Sequence, residues 1–72
     1  MPSSYETLRR KFMTETDDGI ARAERILRES GYVYVSHGTF RAPAEYNLEK
    51  HTRGDIIDAS EYLVFEWDYS IR

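Results

Sequence analysis

At Gly31 the apolar pattern of this 72-residue chain changes its period. Before it, hydrophobic residues recur three and four positions apart; after it, they recur at every second position. A helical period needs one buried stripe on a cylinder, and a period of two needs one buried face on a pleated strand. The break therefore predicts helices followed by strands, an α+β chain with a helical part over 1–31 and a β-rich part over 32–72.

In the helical part, Ser3-Ser4-Tyr5-Glu6 fits a capping box, in which a hydroxyl and a carboxylate three residues later satisfy free amides at a helix start. Tyr5, Leu8 and Phe12 then form one stripe, so a two-turn helix is expected through Met13. Thr14 or Thr16 is expected to cap a second helix, with Glu15, Asp17 and Asp18 in its first turn and Ile20, Ala23, Ile26 and Leu27 inside. Gly31 should end it. Arg22, Arg25 and Arg28 form a ridge whose charges have acidic partners four residues away, the arrangement of a solvated, self-paired face.

In the β-rich part, Tyr32–Ser36 and Thr39–Ala42 flank His37-Gly38, a dipeptide suited to a two-residue hairpin turn. That turn sets Ser36 opposite Thr39, Val35 opposite Phe40, Tyr34 opposite Arg41 and Val33 opposite Ala42. Val33, Val35, Phe40 and Ala42 would then share the core side, and Tyr34 and Arg41 the other. Residues 43–54 read as a loop with one helical turn or as an extended continuation of the second strand, with Tyr46 and Leu48 inward in either case, broken at Arg53-Gly54-Asp55. In the last segment Leu63, Phe65, Trp67 and Tyr69 alternate with Val64, Glu66 and Asp68, which predicts a strand with an apolar core face and an acidic outer face. The expected architecture is two N-terminal helices packed on a three- to four-stranded antiparallel sheet.

Seventy-two residues suffice for one domain and one core. There are no cysteines to staple it or to hold zinc as thiolates, which favours a reducing compartment. The N-terminus lacks the pattern of a signal peptide, and no apolar run approaches the ~20 residues of a membrane span. A cytoplasmic protein with no membrane contact is expected.

Few residues suggest catalysis. Ser36 and His37 are neighbours, and neighbours in a strand point to opposite faces. His51, Asp55 and Asp58 have the spacing of metal ligands on a helix, but Gly54 interrupts that helix in sequence terms. Arg53-Gly54-Asp55 matches the integrin-recognised tripeptide, a short signal in a chain with no sign of secretion. No phosphate-cradling glycine loop is present. No catalytic residue, metal site or cofactor is assigned.

Charge is the more informative feature. Residues 1–31 carry six acids and six bases, so the net charge of −3 resides entirely in 32–72. Asp55, Asp58, Glu61, Glu66 and Asp68 occur with no basic residue between Gly54 and Ile71, in a segment rich in aromatic rings of the kind enriched at interfaces. A short acidic α+β chain with no catalytic set resembles, in general profile alone, phage and mobile-element inhibitors such as anti-CRISPR and anti-restriction proteins; that likeness carries no residues with it. The expected function is non-enzymatic masking or modulation of a protein with a basic surface, through Tyr34, Arg41, Asp55, Asp58, Glu61, Glu66 and Asp68. The alternatives are a small nucleic-acid-binding regulator, disfavoured by the net charge, and a structural homodimer.

Overall fold

The computed structural model describes residues 4–14, 18–36 and 39–71, the last three by backbone alone. Five elements follow in order: α1 (Ser4–Met13), α2 (Gly19–Glu29), β1 (Val33–Ser36), β2 (Thr39–Arg41) and α3 (Arg53–Ile71). The fold is three helices and a two-stranded antiparallel hairpin.

In α1, Glu6 lies in the first turn and Arg10 and Lys11 in the last, where each sign suits the helix dipole. Its stripe is graded: Phe12 is buried, and Tyr5 and Leu8 are half-buried. The start of α2 is capped by Asp18, whose carboxylate accepts from the Ala21 amide at 3.0 Å. The end of α2 is a Schellman turn. Tyr32 N donates to Leu27 O at 3.0 Å and Gly31 N to Arg28 O at 3.1 Å, with Gly31 at a φ of +100° that side-chain-bearing residues rarely adopt.

The core is Phe12, Ala23, Ile26, Leu27, Ile56, Ala59, Tyr62, Leu63 and Trp67, with Leu8, Tyr32 and Phe40 packed at its edge. It lies mainly between α2 and α3, and α1 closes it with Phe12 stacked on Tyr62 at 4.9 Å. α1 runs antiparallel to α3, since Tyr5 meets Phe65 and Glu66 while Lys11 meets Asp55 and Asp58.

The expected three- to four-stranded sheet is not formed, and residues 32–72 are not mainly β. The segment taken for its final strand is the second half of α3, a 19-residue helix. Thr52 and Asp55 start that helix as a reciprocal capping box: Asp55 N donates to Thr52 Oγ1 at 3.1 Å, and Thr52 N to Asp55 Oδ2 at 3.3 Å. Gly54 falls within this first turn, where it interrupts nothing. Ile56, Ala59, Leu63 and Trp67 then recur at i, i+3, i+7 and i+11, a helical stripe. The face assignment changes with the period: Phe65 is exposed, Tyr62 is buried, and Glu66 faces α1.

The hairpin exists but in another register. Val33 pairs with Arg41, Tyr34 with Phe40 and Ser36 with Thr39, so Val35 is the extra residue of a β-bulge. A one-residue slip moves side chains to opposite faces. Tyr34 therefore meets Phe40 edge-on at 5.3 Å in place of Arg41, and Val33 and Val35 are exposed. Phe40 alone of the four expected inward residues reaches the core, stacking on Trp67 at 5.9 Å. Ile20, expected inside, is exposed, and residues 42–52 form an irregular connection with no helical turn. The expected Ser3 cap, residues 15–17, the His37-Gly38 turn and the Tyr69 side chain lie outside the described residues. α2 starts later than expected: Asp18 is its cap and not part of its first turn, and the Thr14 hydroxyl donates to Arg10 O at 2.6 Å. Among the described residues, no helix is long and apolar enough to cross a membrane.

Candidate functional site

α3 carries two apolar faces, and only one is used. Opposite the core stripe, Ile57, Glu61, Val64 and Asp68 recur at i, i+4, i+7 and i+11, with Phe65 beside them. Val64, Phe65 and Ile57 are 55%, 53% and 51% exposed. Where this face meets α1 there is a groove of about 740 Å3, floored by Leu8, Val64 and Phe65 and bordered by Tyr5, Lys11, Asp58 and Glu61. No α2 or hairpin residue lines it. Tyr5 stacks on Phe65 at 4.4 Å, and this stack forms one end of the groove.

The five acids of α3 divide into two groups. Asp55, Asp58 and Glu66 face α1 and pair with its side chains. Lys11 Nζ donates to Asp58 Oδ2 at 2.7 Å and Asp55 Oδ1 at 3.4 Å, and the Asp58 bond foremost raises the lysine pKa against the opposing effect of desolvation. Asp55 is held below the usual carboxylate range, first by the backbone and then by the side chain of Thr52, with Lys11 adding to it. Glu66 pairs with Arg9 and accepts from Tyr5 Oη at 2.5 Å. Glu61 and Asp68 are exposed and have no hydrogen-bond or ion-pair partner among the described residues.

Tyr34 and Arg41, the other two candidates, sit on the hairpin and line no part of the groove. Tyr34 has the Arg28 guanidinium of α2 5.4 Å above its ring. The structure thus gathers Asp58 and Glu61 at one groove, places Asp68 farther along the same helix face, and leaves Tyr34 and Arg41 elsewhere. Of the three apolar residues Leu8, Val64 and Phe65, Val64 was expected on an outer face, whereas Phe65 was assigned to the core by the alternating pattern and Leu8 by the α1 stripe. The signal that finds them is the helical recurrence of Ile57, Glu61, Val64 and Asp68.

The candidate chemistry has structural occupations. His51 Nε2 bonds Glu29 Oε2 at 2.6 Å, tying the 42–52 connection to α2, and this bond foremost lowers the Glu29 pKa. His51 lies ahead of α3 and faces Glu29, so it does not join Asp55 and Asp58; among the described residues no group of three potential ligands is placed to hold a metal. Arg53, from the tripeptide, stands 5.8 Å from the Tyr46 ring while its Asp55 faces Thr52 and Lys11.

A smaller hollow of about 390 Å3 adjoins the groove, lined by Tyr32, Tyr46, Arg53, Ile56, Ile57 and Ser60, and Glu61 borders both. Compared with known proteins, the chain matches no family model, no curated protein and no solved structure.

Proposed function

We propose that this chain is a non-enzymatic protein-binding module that masks or modulates a partner through the outer α1–α3 face, the partner presenting apolar side chains beside basic ones. The observation that carries this reading is the second apolar face of α3. Fully burying a side chain such as Val or Phe is worth about 1.5–3 kcal/mol, and contiguous apolar surface left in water by a folded chain marks an interaction site. Glu61 and Asp68 add carboxylates with no ion-pair partner among the described residues. They favour a cationic partner, mainly through association rate and specificity.

The test is photo-crosslinking from position 64, on the face, and from position 25, on the exposed side of α2, in extract of the native organism. Position 64 should capture a discrete protein that position 25 does not. Glu61→Lys/Asp68→Lys should slow its association, and the difference from wild type should shrink as salt rises. Equal capture from both positions, or association unaffected by the charge reversal at every salt concentration, would refute the assignment of this face.

A further inference from the structure

We infer that the occupant of the α1–α3 groove is a basic amphipathic α-helix of the partner, lying along α3 on the side that α2 leaves open. This rests on the reading of the outer face given above and adds the secondary structure and charge of what binds there. Three observations lead to it: the groove's walls, its length and its charge.

Both walls are helices, antiparallel to each other, and beyond their end turns the backbone amides and carbonyls are already bonded within each helix. An extended segment would bring its own amides and carbonyls against walls with nothing to pair them, whereas a helix satisfies its backbone internally. Neighbouring side-chain rows on two packed helices also leave a furrow of the shape that a third helix fills, with axes about 8–10 Å apart. The ten residues of α1 span about 15 Å at 1.5 Å per residue, so the groove accommodates roughly three turns of an occupant. An apolar stripe at i, i+3/i+4 and i+7 would cover Leu8, Val64 and Phe65 together.

Charge selects the sign. Along the lining, Lys11 is already engaged by Asp55 and Asp58, and Glu61 has no hydrogen-bond or ion-pair partner among the described residues. Lysine or arginine flanking the occupant's apolar stripe would therefore find a carboxylate without displacing an internal pair. The same charges argue against a second copy of this chain as occupant. Two α3 faces brought together by a two-fold axis would set Asp58, Glu61 and Asp68 of one copy against the same acids of the other.

Three capped 14-residue peptides probe this at about 150 mM salt: a Leu/Lys helix with leucines at i, i+3, i+4 and i+7, a Leu/Glu helix of the same pattern, and a Leu/Lys version broken by two prolines. Amide resonances of the intact chain report the site. The Leu/Lys helix should shift Leu8, Glu61, Val64 and Phe65, with a gain of peptide helicity by circular dichroism. Val64→Ser, at a side chain that supports no core packing, should weaken binding about tenfold or more, and Glu61→Lys several-fold, with the chain still folded.

Equal binding of the proline-broken peptide at the same resonances would overturn the helical occupant, and equal binding of the Leu/Glu helix would overturn the charge assignment. Failure of all three peptides would overturn the inference, while crosslinking from position 64 would decide separately whether the face itself binds a protein. A concentration-dependent dimer in sedimentation, abolished by Val64→Ser, would instead make a second copy the occupant and overturn it as well.

Discussion

Tyr62 anchors the core: it is 1% exposed, its ring stacks on Phe12, and its hydroxyl lies 3.7 Å from Met13 Sδ. Burial foremost raises its pKa. Tyr62→Ala should cost about 3–5 kcal/mol, as truncation of a buried ring does. Phe65→Ala, three residues on but half in water, should cost about 1 kcal/mol through its stack on Tyr5. Urea melts of the two variants check this, and similar losses would mean that Phe65 is buried. Gly19 depends on the same ring. A Cβ there would lie 2.5 Å from Tyr62 Oη and 2.7 Å from Met13 Sδ. Gly19→Ala should thus destabilise by about 1–3 kcal/mol despite alanine's better helix propensity, because overpacking outweighs a gain of at most about 1 kcal/mol. Adding Tyr62→Phe, which removes the closest atom, should restore part of the loss; equal destabilisation in both backgrounds would exclude this contact as the cause.

At the scale of elements, α3 shows where the chain was legible and where it was not. α1 and α2 announce themselves because their apolar stripes are separated by polar positions and closed by caps. The Tyr62–Phe65 run is apolar at every position, so a period of two and a period of 3.6 fit it equally well, and the acids at 66 and 68 tip the reading towards alternation. The apolar residues outside the core, Val64 and Phe65, mask the helical period. Thr52 and Asp55 could have decided the matter, since a threonine followed three residues later by a carboxylate marks a helix start even with glycine between. The hairpin register was illegible for a different reason: a bulge at Val35 leaves no compositional trace. The acids were found but not their roles, because which carboxylates meet Arg9 and Lys11 depends on how α1 docks. Thr52→Ala should cost about 1 kcal/mol by removing the cap. Asp55 adds a pH dependence. Its folded pKa is depressed, so its contribution is complete above the unfolded value near 4 and is lost as pH falls below it. Stability followed from pH 6 to pH 2.5 should fall less steeply in Asp55→Asn than in wild type. An unchanged slope would show that this carboxylate is not coupled to folding.

For the whole molecule, the consequential asymmetry is between α1 and the α2–α3 pair. α2 and α3 share most of the buried side chains, whereas α1 contributes Phe12 in full and Leu8 and Tyr5 in part. Its other attachments include Met13 against Tyr62, Glu66 with Arg9 and Tyr5, Lys11 with Asp55 and Asp58, and the Arg22 guanidinium of α2, which donates to Lys11 O at 3.0 Å. Lys11 and its partners are well exposed, so those pairs belong to the class worth about 0–1 kcal/mol each and screened by salt. Glu66 is more enclosed, with its side chain 14% exposed, and is the attachment least open to screening. α1 should therefore detach in a partial opening that leaves α2 and α3 paired, at a free energy below that of global unfolding. Native-state hydrogen exchange would show this as lower protection in α1 than in the cores of α2 and α3. Raising salt from about 0.05 to 0.5 M should narrow α1 protection selectively, since the screening length falls several-fold. Glu66→Gln should do the same at low salt, and less so when Arg9→Gln is also present, because the pair is already broken. Because α1 forms one wall of the groove, its release would also remove Leu8 and Tyr5 from the binding face, so Glu66→Gln should weaken Leu/Lys helix binding although Glu66 itself does not line the groove. If α1 amides instead exchange with the same free energy as α2 and α3, at both salt concentrations and in Glu66→Gln, then Phe12 alone secures the helix and the polar contacts contribute nothing to its docking.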